Sequence, residues 1–322
     1  MATSTPTTAI YVSVVVPVYG GAPLLQELAT RVDQVAVAAG WTYELILVDD
    51  CGPGNAWEVI QALVKSGLPI VGIHMAGNHG QHKAILAGLG VTRGEFVAIL
   101  DDDLQTEPES LPILQTHQAT TGADLVYASY ARRAHAWPRR WASNLLAAIG
   151  KAFGSTPGWG SSFKWMKGPI ARRVAQAQYQ AIYLDEVLMW HAGHIERVSV
   201  PHAGRKNGKS GYTTYRLIRM ALGVVFFYTS LPLRFMVFVG LLASTVSFAF
   251  GAYFIYRKVL YEVPLGFTSL IVAIFFSFGI LISSLGIIGE YLRRVYLSQL
   301  GKPTIRVAKV IVAEAPGEDS KV

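Results

Sequence analysis

The chain predicts an α/β protein in which an open, mainly parallel sheet carries helices on both faces and is followed by two membrane-spanning helices. Three observations carry this expectation. Short runs rich in Val, Ile and Leu alternate with helix-spaced segments between residues 11 and 129, acidic clusters stand at the ends of two of those runs, and two long charge-free stretches lie further on.

The strand candidates are YVSVVVPV (11–18), YELILVD (43–49), PIVGIHM (69–75), EFVAILD (95–101) and ADLVYAS (123–129). Continuous β-branched runs of this length suit strands buried on both faces. Between them, residues 24–39, 56–66, 81–91 and 109–121 space their apolar residues as helices do. Residues 130–192 are less regular, with helix candidates at 138–153 and 168–180, and GHIERVSVP (193–201) reads as a further strand. HAGRKNGKSGY (202–212) is a Gly- and Lys-rich loop, and TYRLIRMALGVVFFYTSLPL (214–233) predicts an amphipathic helix with Arg216 and Arg219 placed to meet lipid head groups. The expected organisation is a sheet domain over 1–212, a juxtamembrane helix over 213–234, a transmembrane hairpin over 235–289 and a C-terminal segment over 290–322. Its last part, from 307, reads as a frayed tail.

The apolar content is 52% and the mean hydropathy +0.35, both high for a soluble chain of 322 residues. Residues 235–256 and 267–289 lack any charge, and each exceeds the roughly 18 to 20 residues that cross a bilayer core. MATSTPTTAI has neither a basic n-region nor an apolar core, so no signal peptide is expected and residues 1–230 should face the cytoplasm. Arg216, Arg219 and Arg234 before the first span, with Arg293, Arg294, Lys302 and Arg306 after the second, favour both ends inside, with a short external turn between the spans. The single cysteine, Cys51, excludes an internal disulfide framework.

The net charge of +7 is concentrated: between Asp124 and Asp185 there is no acidic residue but nine Lys or Arg. Such a field suits a phosphate-bearing partner or an anionic membrane face. No nucleic-acid motif accompanies it, so no nucleic-acid partner is expected.

The chemistry concentrates in ILDDDLQTEPE (99–109). Three adjacent aspartates repel one another, and burying them costs several kcal/mol unless a cation sits among them. Asp101 and Asp103, at i and i+2 after a strand, can converge on one divalent ion, and a second pair, Asp49 and Asp50, ends another strand. Ligands of open parallel sheets bind beyond the carboxyl ends of strands, so both clusters should face one crevice. A divalent ion held by Asp oxygens neutralises a departing diphosphate. His74, His79 and His82 lack zinc-site spacing and read as packing or capping residues. Trp159 and Trp165 suit either an acceptor groove or an interfacial anchor, and the sequence does not choose.

VVVPVYG, LILVDD, NHGQHKAILAGL with RGEFVAILDDDLQTEPE, HAGRKNGKSGYTTYRL and LGIIGEYLRRVY stand in this order from about residue 11 to 307, before and across two spans. This set resembles the polyprenyl-phosphate glycosyltransferases of glycosyltransferase family 2, the group of dolichol-phosphate mannose synthases and undecaprenyl-phosphate glycosyltransferases. NHGQHKAILAG is similar to the branch that includes aminoarabinose transferases. The resemblance implies a GT-A fold, a nucleotide-sugar donor (UDP- or GDP-linked, with UDP favoured), Mg²⁺ or Mn²⁺, a polyprenyl phosphate acceptor and a homo-oligomer. It implies that Asp101, Asp103 and Gln105 carry the metal and the donor phosphate, and that Pro17, Tyr19, Asp49 and Asp50 hold the donor. Asp102 contacts the sugar or faces solvent. Acceptor-phosphate contacts are implied for Arg132, Arg139 and Ser143, and for Lys209, Ser210 and Tyr212 beside a catalytic Arg205. Two departures are visible: Gly54 where relatives often carry Asp, and SSFK (161–164) where they often carry SDFR. A lipid monophosphate is already ionised near neutral pH, so it can attack the anomeric carbon directly, with inversion and without a strong base. Two other readings stay open, a membrane-bound polysaccharide synthase, which lacks its usual Q-x-x-R-W motif here, and a non-catalytic nucleotide-sugar-binding scaffold.

Overall fold

The alternating strands and helices close into one eight-stranded sheet in a computed structural model that describes residues 9–20, 22–130, 161–176, 184–201, 231–261, 266–299 and 305–313. The elements run β1 (Val12–Val18), α1 (Leu25–Ala39), β2 (Tyr43–Asp49), α2 (Ala56–Val64), β3 (Ile70–Met75), α3 (Gln81–Leu89), β4 (Phe96–Ile99), α4 (Leu111–Thr121) and β5 (Leu125–Tyr130). Then follow β6 (Lys164–Lys167), α5 (Gly168–Gln176), α6 (Leu184–His191), β7 (Ile195–Val200), α7 (Leu231–Tyr261), α8 (Phe267–Gln299) and β8 (Val307–Val312). The spatial order is β7-β5-β6-β4-β1-β2-β3-β8. β4, β1, β2 and β3 are mutually parallel, whereas β6 runs antiparallel to both β4 and β5, and β8 antiparallel to β3.

The period of two along each strand divides the core between the two faces. Val14, Val16, Leu45 and Leu47 join one apolar cluster with side chains of α1, α2 and α4, while Val15, Ile46, Val48 and Ile99 join another with α3, α5 and α6. Both faces of the central strands are therefore covered, which is why β1 is buried throughout and apolar at every position but Ser13. α3 lies so close to the sheet that a Cβ at Gly88 would stand 2.5 Å from a methyl of Val15. Pro17 is tolerated inside a central strand because the pairing of β1 with β4 ends at Val15↔Ile99, two residues earlier.

Several expectations shift. β4 stops at Ile99, so the whole acidic triplet lies beyond the strand rather than partly in it. β6 and α6 were absent from the sequence reading; KWMK is too short to declare itself and is a strand because it fills the gap between β4 and β5. The frayed tail is corrected for residues 307–312, which form β8: Ile311 reaches over Gly72, and the strand covers what would be an open edge of β3. The helix candidate at 138–153, the loop at 202–212 and nearly all of the juxtamembrane helix at 213–234 lie outside the described residues.

The chain divides into two compact units, residues 1–141, 158–209 and 303–322 in one and 142–157 with 210–302 in the other. In the second, α7 and α8 run for 31 and 33 residues. Their windows Phe235–Tyr253 and Phe276–Arg293 are long and apolar enough to cross a membrane, and none of either window is buried.

Candidate active site

The site is built where β1, β2 and β4 end. Beyond β1, the backbone N–H groups of Tyr19 and Gly20 both donate to Asp102 Oδ2, at 3.0 and 3.4 Å. Asp102 therefore ties the turn after β4 to the exit of β1. The turn after β2 lies against the same segment: a Cβ on Gly52 would fall 1.4 Å from the Tyr19 carbonyl oxygen, so only glycine fits there. Three loops from three strands thus meet at one rim, as expected for the carboxyl edge of a parallel sheet.

The loop entering α3 joins the two acidic clusters. Asp50, 2% exposed, accepts the N–H groups of His79 and Gly80 at 2.7 and 2.8 Å, one on each oxygen. Directly after Gly80, the Gln81 side-chain amide donates to Asp101 Oδ1 at 2.8 Å. Asp50 is thereby an anchor of this loop, and Gln81 a positioning partner of Asp101 that the sequence reading did not single out.

Asp101, Asp103 and Gln105 form the acidic turn. Leu104 is buried and sits in the left-handed region at φ 54°, a conformation that costs a non-glycine residue about 1–2 kcal/mol. Gln105 is turned back on Asp103, its N–H on Oδ1 at 3.1 Å and its side-chain amide nitrogen on Oδ2. A cation shared with Asp103 calls for the oxygen of that amide instead, which a rotation of the amide supplies. Burial pushes the Asp101 carboxyl above the usual aspartate range; Asp103 and Asp102 push the same way, while a hydrogen bond from Ser162 and the charge of Lys164 oppose them. Crowded carboxylates held in this state, with oxygen donors only, fit a hard divalent ion such as Mg²⁺ or Mn²⁺.

Behind the turn lies a buried charge pair. Lys164, opposite Ile99 on β6, is 2% exposed and pairs with Asp185, which also accepts the Tyr127 hydroxyl at 3.1 Å. The Lys164 ammonium stands 5.4 Å from the Tyr127 ring centre. In SSFK, Ser162 thus supplies a hydroxyl to Asp101, and Lys164 finds its carboxylate on α6. Lys164, Lys167 (on Asp124, 2.8 Å) and Arg172 (on the Gly94 carbonyl, 3.0 Å) are engaged within the domain, so they do not form a free basic surface. Trp165 is fully buried among Tyr11, Trp41 and Phe96 and is neither groove nor interfacial anchor.

On the other side of the rim, a pocket of about 240 Å³ is lined by residues that include Asp49, Gly54, Asn55, Trp57 and His74. Asp49 is 3% exposed and lies 2.7 Å from His74 Nδ1, and the imidazole stacks on Trp57 with ring centres 4.9 Å apart. Pro17 is buried in β1 below the rim, whereas Tyr19 is 52% exposed. His79 contributes through its backbone; His82, near the Lys164–Asp185 pair, is driven below the ordinary histidine range by burial and by Lys164, with Asp185 opposing. Arg132, Arg139, Ser143, Arg205, Lys209, Ser210 and Tyr212 lie outside the described residues.

The family model described as glycosyl transferase family 2 matches residues 13–183. An undecaprenyl-phosphate 4-deoxy-4-formamido-L-arabinose transferase of Pseudomonas aeruginosa is 30% identical over 308 residues, covering 94% of this chain and 91% of its own. A protein of the same name from Edwardsiella ictaluri is 29% identical over 317 residues, 97% of each chain. Among solved structures, glucosyl-3-phosphoglycerate synthase of Mycobacterium tuberculosis, with Mn²⁺, uridine diphosphate and glucosyl-3-phosphoglycerate bound, aligns over 67% of this chain and 78% of its own at 20% identity and a TM-score of 0.47. The sheet unit has the GT-A-type architecture that the motifs imply, and with a family match over more than half its length the chain belongs to glycosyltransferase family 2.

Proposed function

We infer that the chain transfers a sugar from a nucleotide donor, UDP-linked, to a polyprenyl phosphate, undecaprenyl phosphate, at the cytoplasmic face of the inner membrane. The observation that carries this reading is the convergence of the Asp101–Asp103 turn and the Asp49 pocket on one rim, in a chain alike to undecaprenyl-phosphate transferases over 94% of its length.

In this reading the base and ribose lie in the pocket beside Asp49 and Trp57, with Tyr19 at its edge and Pro17 and Asp50 shaping the rim. Asp101, Asp103 and Gln105 would hold a divalent ion, which when bound neutralises charge on the departing diphosphate. Gln81 and Ser162 keep the Asp101 carboxylate oriented, and Asp102 locks the turn against β1. Arg132, Arg139, Ser143, Lys209, Ser210 and Tyr212 take the acceptor phosphate, and Arg205 steadies the diphosphate. The acceptor phosphate is the nucleophile, so catalysis is chiefly positioning and charge neutralisation, and direct displacement inverts the anomeric centre. α7 and α8 span the bilayer and keep the chain at the membrane that displays the lipid phosphate; their bare apolar surfaces support this.

The test incubates the purified full chain with Mg²⁺, undecaprenyl phosphate and a panel of radiolabelled nucleotide sugars. A glycolipid formed by the wild type and lost in Asp103→Ala is the expected result. Nucleotide binding without any glycolipid, with an active relative run alongside, would favour the scaffold reading instead.

A further inference from the structure

Three side chains at the donor pocket form a second donor set, chemically unlike the acidic turn. Asp49 is the last residue of β2, and the parallel register sets it directly across from His74 on β3, so their side chains share one face. Cys51 follows two residues later through a backbone at φ 52°, and that turn carries its sulfur back toward β3, where it donates to the Met75 carbonyl at 3.0 Å. One carboxylate oxygen, one ring nitrogen and Cys51 Sγ come within 4.8 Å of one another. Trp57 stacks on the imidazole and limits its rotation, and Asp49 is nearly wholly buried, so two of the three donors are already held.

The donor chemistry decides the class of ion. A hard ion such as Mg²⁺ seeks six oxygens and keeps much of its water, whereas sulfur, imidazole nitrogen and a single carboxylate oxygen suit a borderline ion of the zinc class. Three protein donors leave one tetrahedral position, and the pocket lined by Asp49, Cys51 and His74 supplies space for it. Binding exchanges the Asp49–His74 and Cys51–Met75 hydrogen bonds for metal bonds, releases the thiol proton to solvent and moves the imidazole proton from Nδ1 to Nε2.

We propose that Asp49, Cys51 and His74 form a binding site for a zinc-class cation, separate from the acidic turn, and that its occupancy excludes the nucleotide. The exclusion rests on the donor lying in this pocket, as argued above; the ion site itself does not.

The experiment titrates the full chain in detergent micelles with Co²⁺, whose thiolate-to-metal absorption reports sulfur ligation. The wild type should take up Co²⁺ with that band, and Zn²⁺ should displace it. Cys51→Ser should abolish the band, and His74→Gln should weaken Co²⁺ binding by about tenfold or more, at least the loss that removing a supporting residue brings. Asp103→Asn should keep the band. Uridine diphosphate added without Mg²⁺ should weaken Co²⁺ uptake, and Zn²⁺ should raise the concentration of nucleotide needed for half-saturation. No band in the wild type, a band that survives Cys51→Ser, or uptake unchanged in both variants, an adventitious ion only, overturns the site. A band indifferent to uridine diphosphate overturns the exclusion. Because the Co²⁺ readout needs no turnover, a chain that binds Co²⁺ as described yet forms no glycolipid defeats the transferase reading alone.

Discussion

The sheet unit and the long helices are both rich in apolar residues and treat them in opposite ways. Val15, Ile46 and Ile99 are 0% exposed, whereas Phe248 and Phe276 are 83% and 69% exposed. The sheet unit buries its apolar side chains against one another and gathers its carboxylates at one rim. The helices turn theirs outward, as the bilayer span proposed above requires. Composition alone does not separate these cases; strand-length runs bounded by turns and spans of more than 20 residues do.

The largest expected effect tests whether the chemistry belongs to the rim. Asp103→Ala should lower glycolipid formation by at least about a hundredfold, the scale seen when a group that stabilises developing charge is removed, while the protein stays in the membrane fraction. Phe248→Ala should leave the rate unchanged, and a comparable loss there would break the division of labour.

A second test concerns charge inside the sheet unit. Lys164→Met strands the Asp185 carboxylate, and denaturant unfolding should show a loss of about 3–5 kcal/mol. Combining it with Asp185→Leu should recover most of that loss. A double variant as unstable as the single one would mean that Lys164 acts through packing rather than through the pair.

The third sharpens the contrast directly. Ile46→Ala opens a cavity on the covered face beneath α3 and should cost about 2–5 kcal/mol. Phe248→Ala removes a side chain that is 83% exposed on α7, and in the proposed span its melting temperature in detergent should barely move. Equal losses would show that α7 is covered by protein.

The smallest effect is a pH dependence. The Lys167 ammonium, with the Gly193 and His194 N–H groups, holds the Asp124 carboxyl below the usual aspartate range. A carboxylate depressed in the fold adds stability that is present above its unfolded pKa and lost as pH falls through the folded one. Asp124→Asn should therefore be less stable than wild type at neutral pH, and the gap should close as the medium is acidified below the ordinary aspartate range. A gap that stays constant with pH would assign the loss to the amide's altered hydrogen bonding.

Much of the fold was legible because its elements obey local rules. β1 to β5, α1 to α4 and β7 declare themselves through runs and spacing, and the two acidic clusters announce a rim because strand ends are where parallel sheets bind ligands. β6 and β8 were not legible. Neither stands in the alternation of strands and helices that marks the others, and each is fixed by its pairing, Lys164 with Ile99 and Val312 with Val71.

The same boundary runs through the site. By itself the sequence determined which carboxylates crowd together, that they stand at strand ends, and that two apolar spans follow, since all three depend on residues adjacent in the chain. Only the tertiary structure decided that Gln81 and Ser162 steady Asp101, that Lys164 meets Asp185, and that Cys51 and His74 share a pocket with Asp49. Those contacts join separate elements across the sheet, and their geometry comes from strand register and helix packing rather than from spacing along the chain.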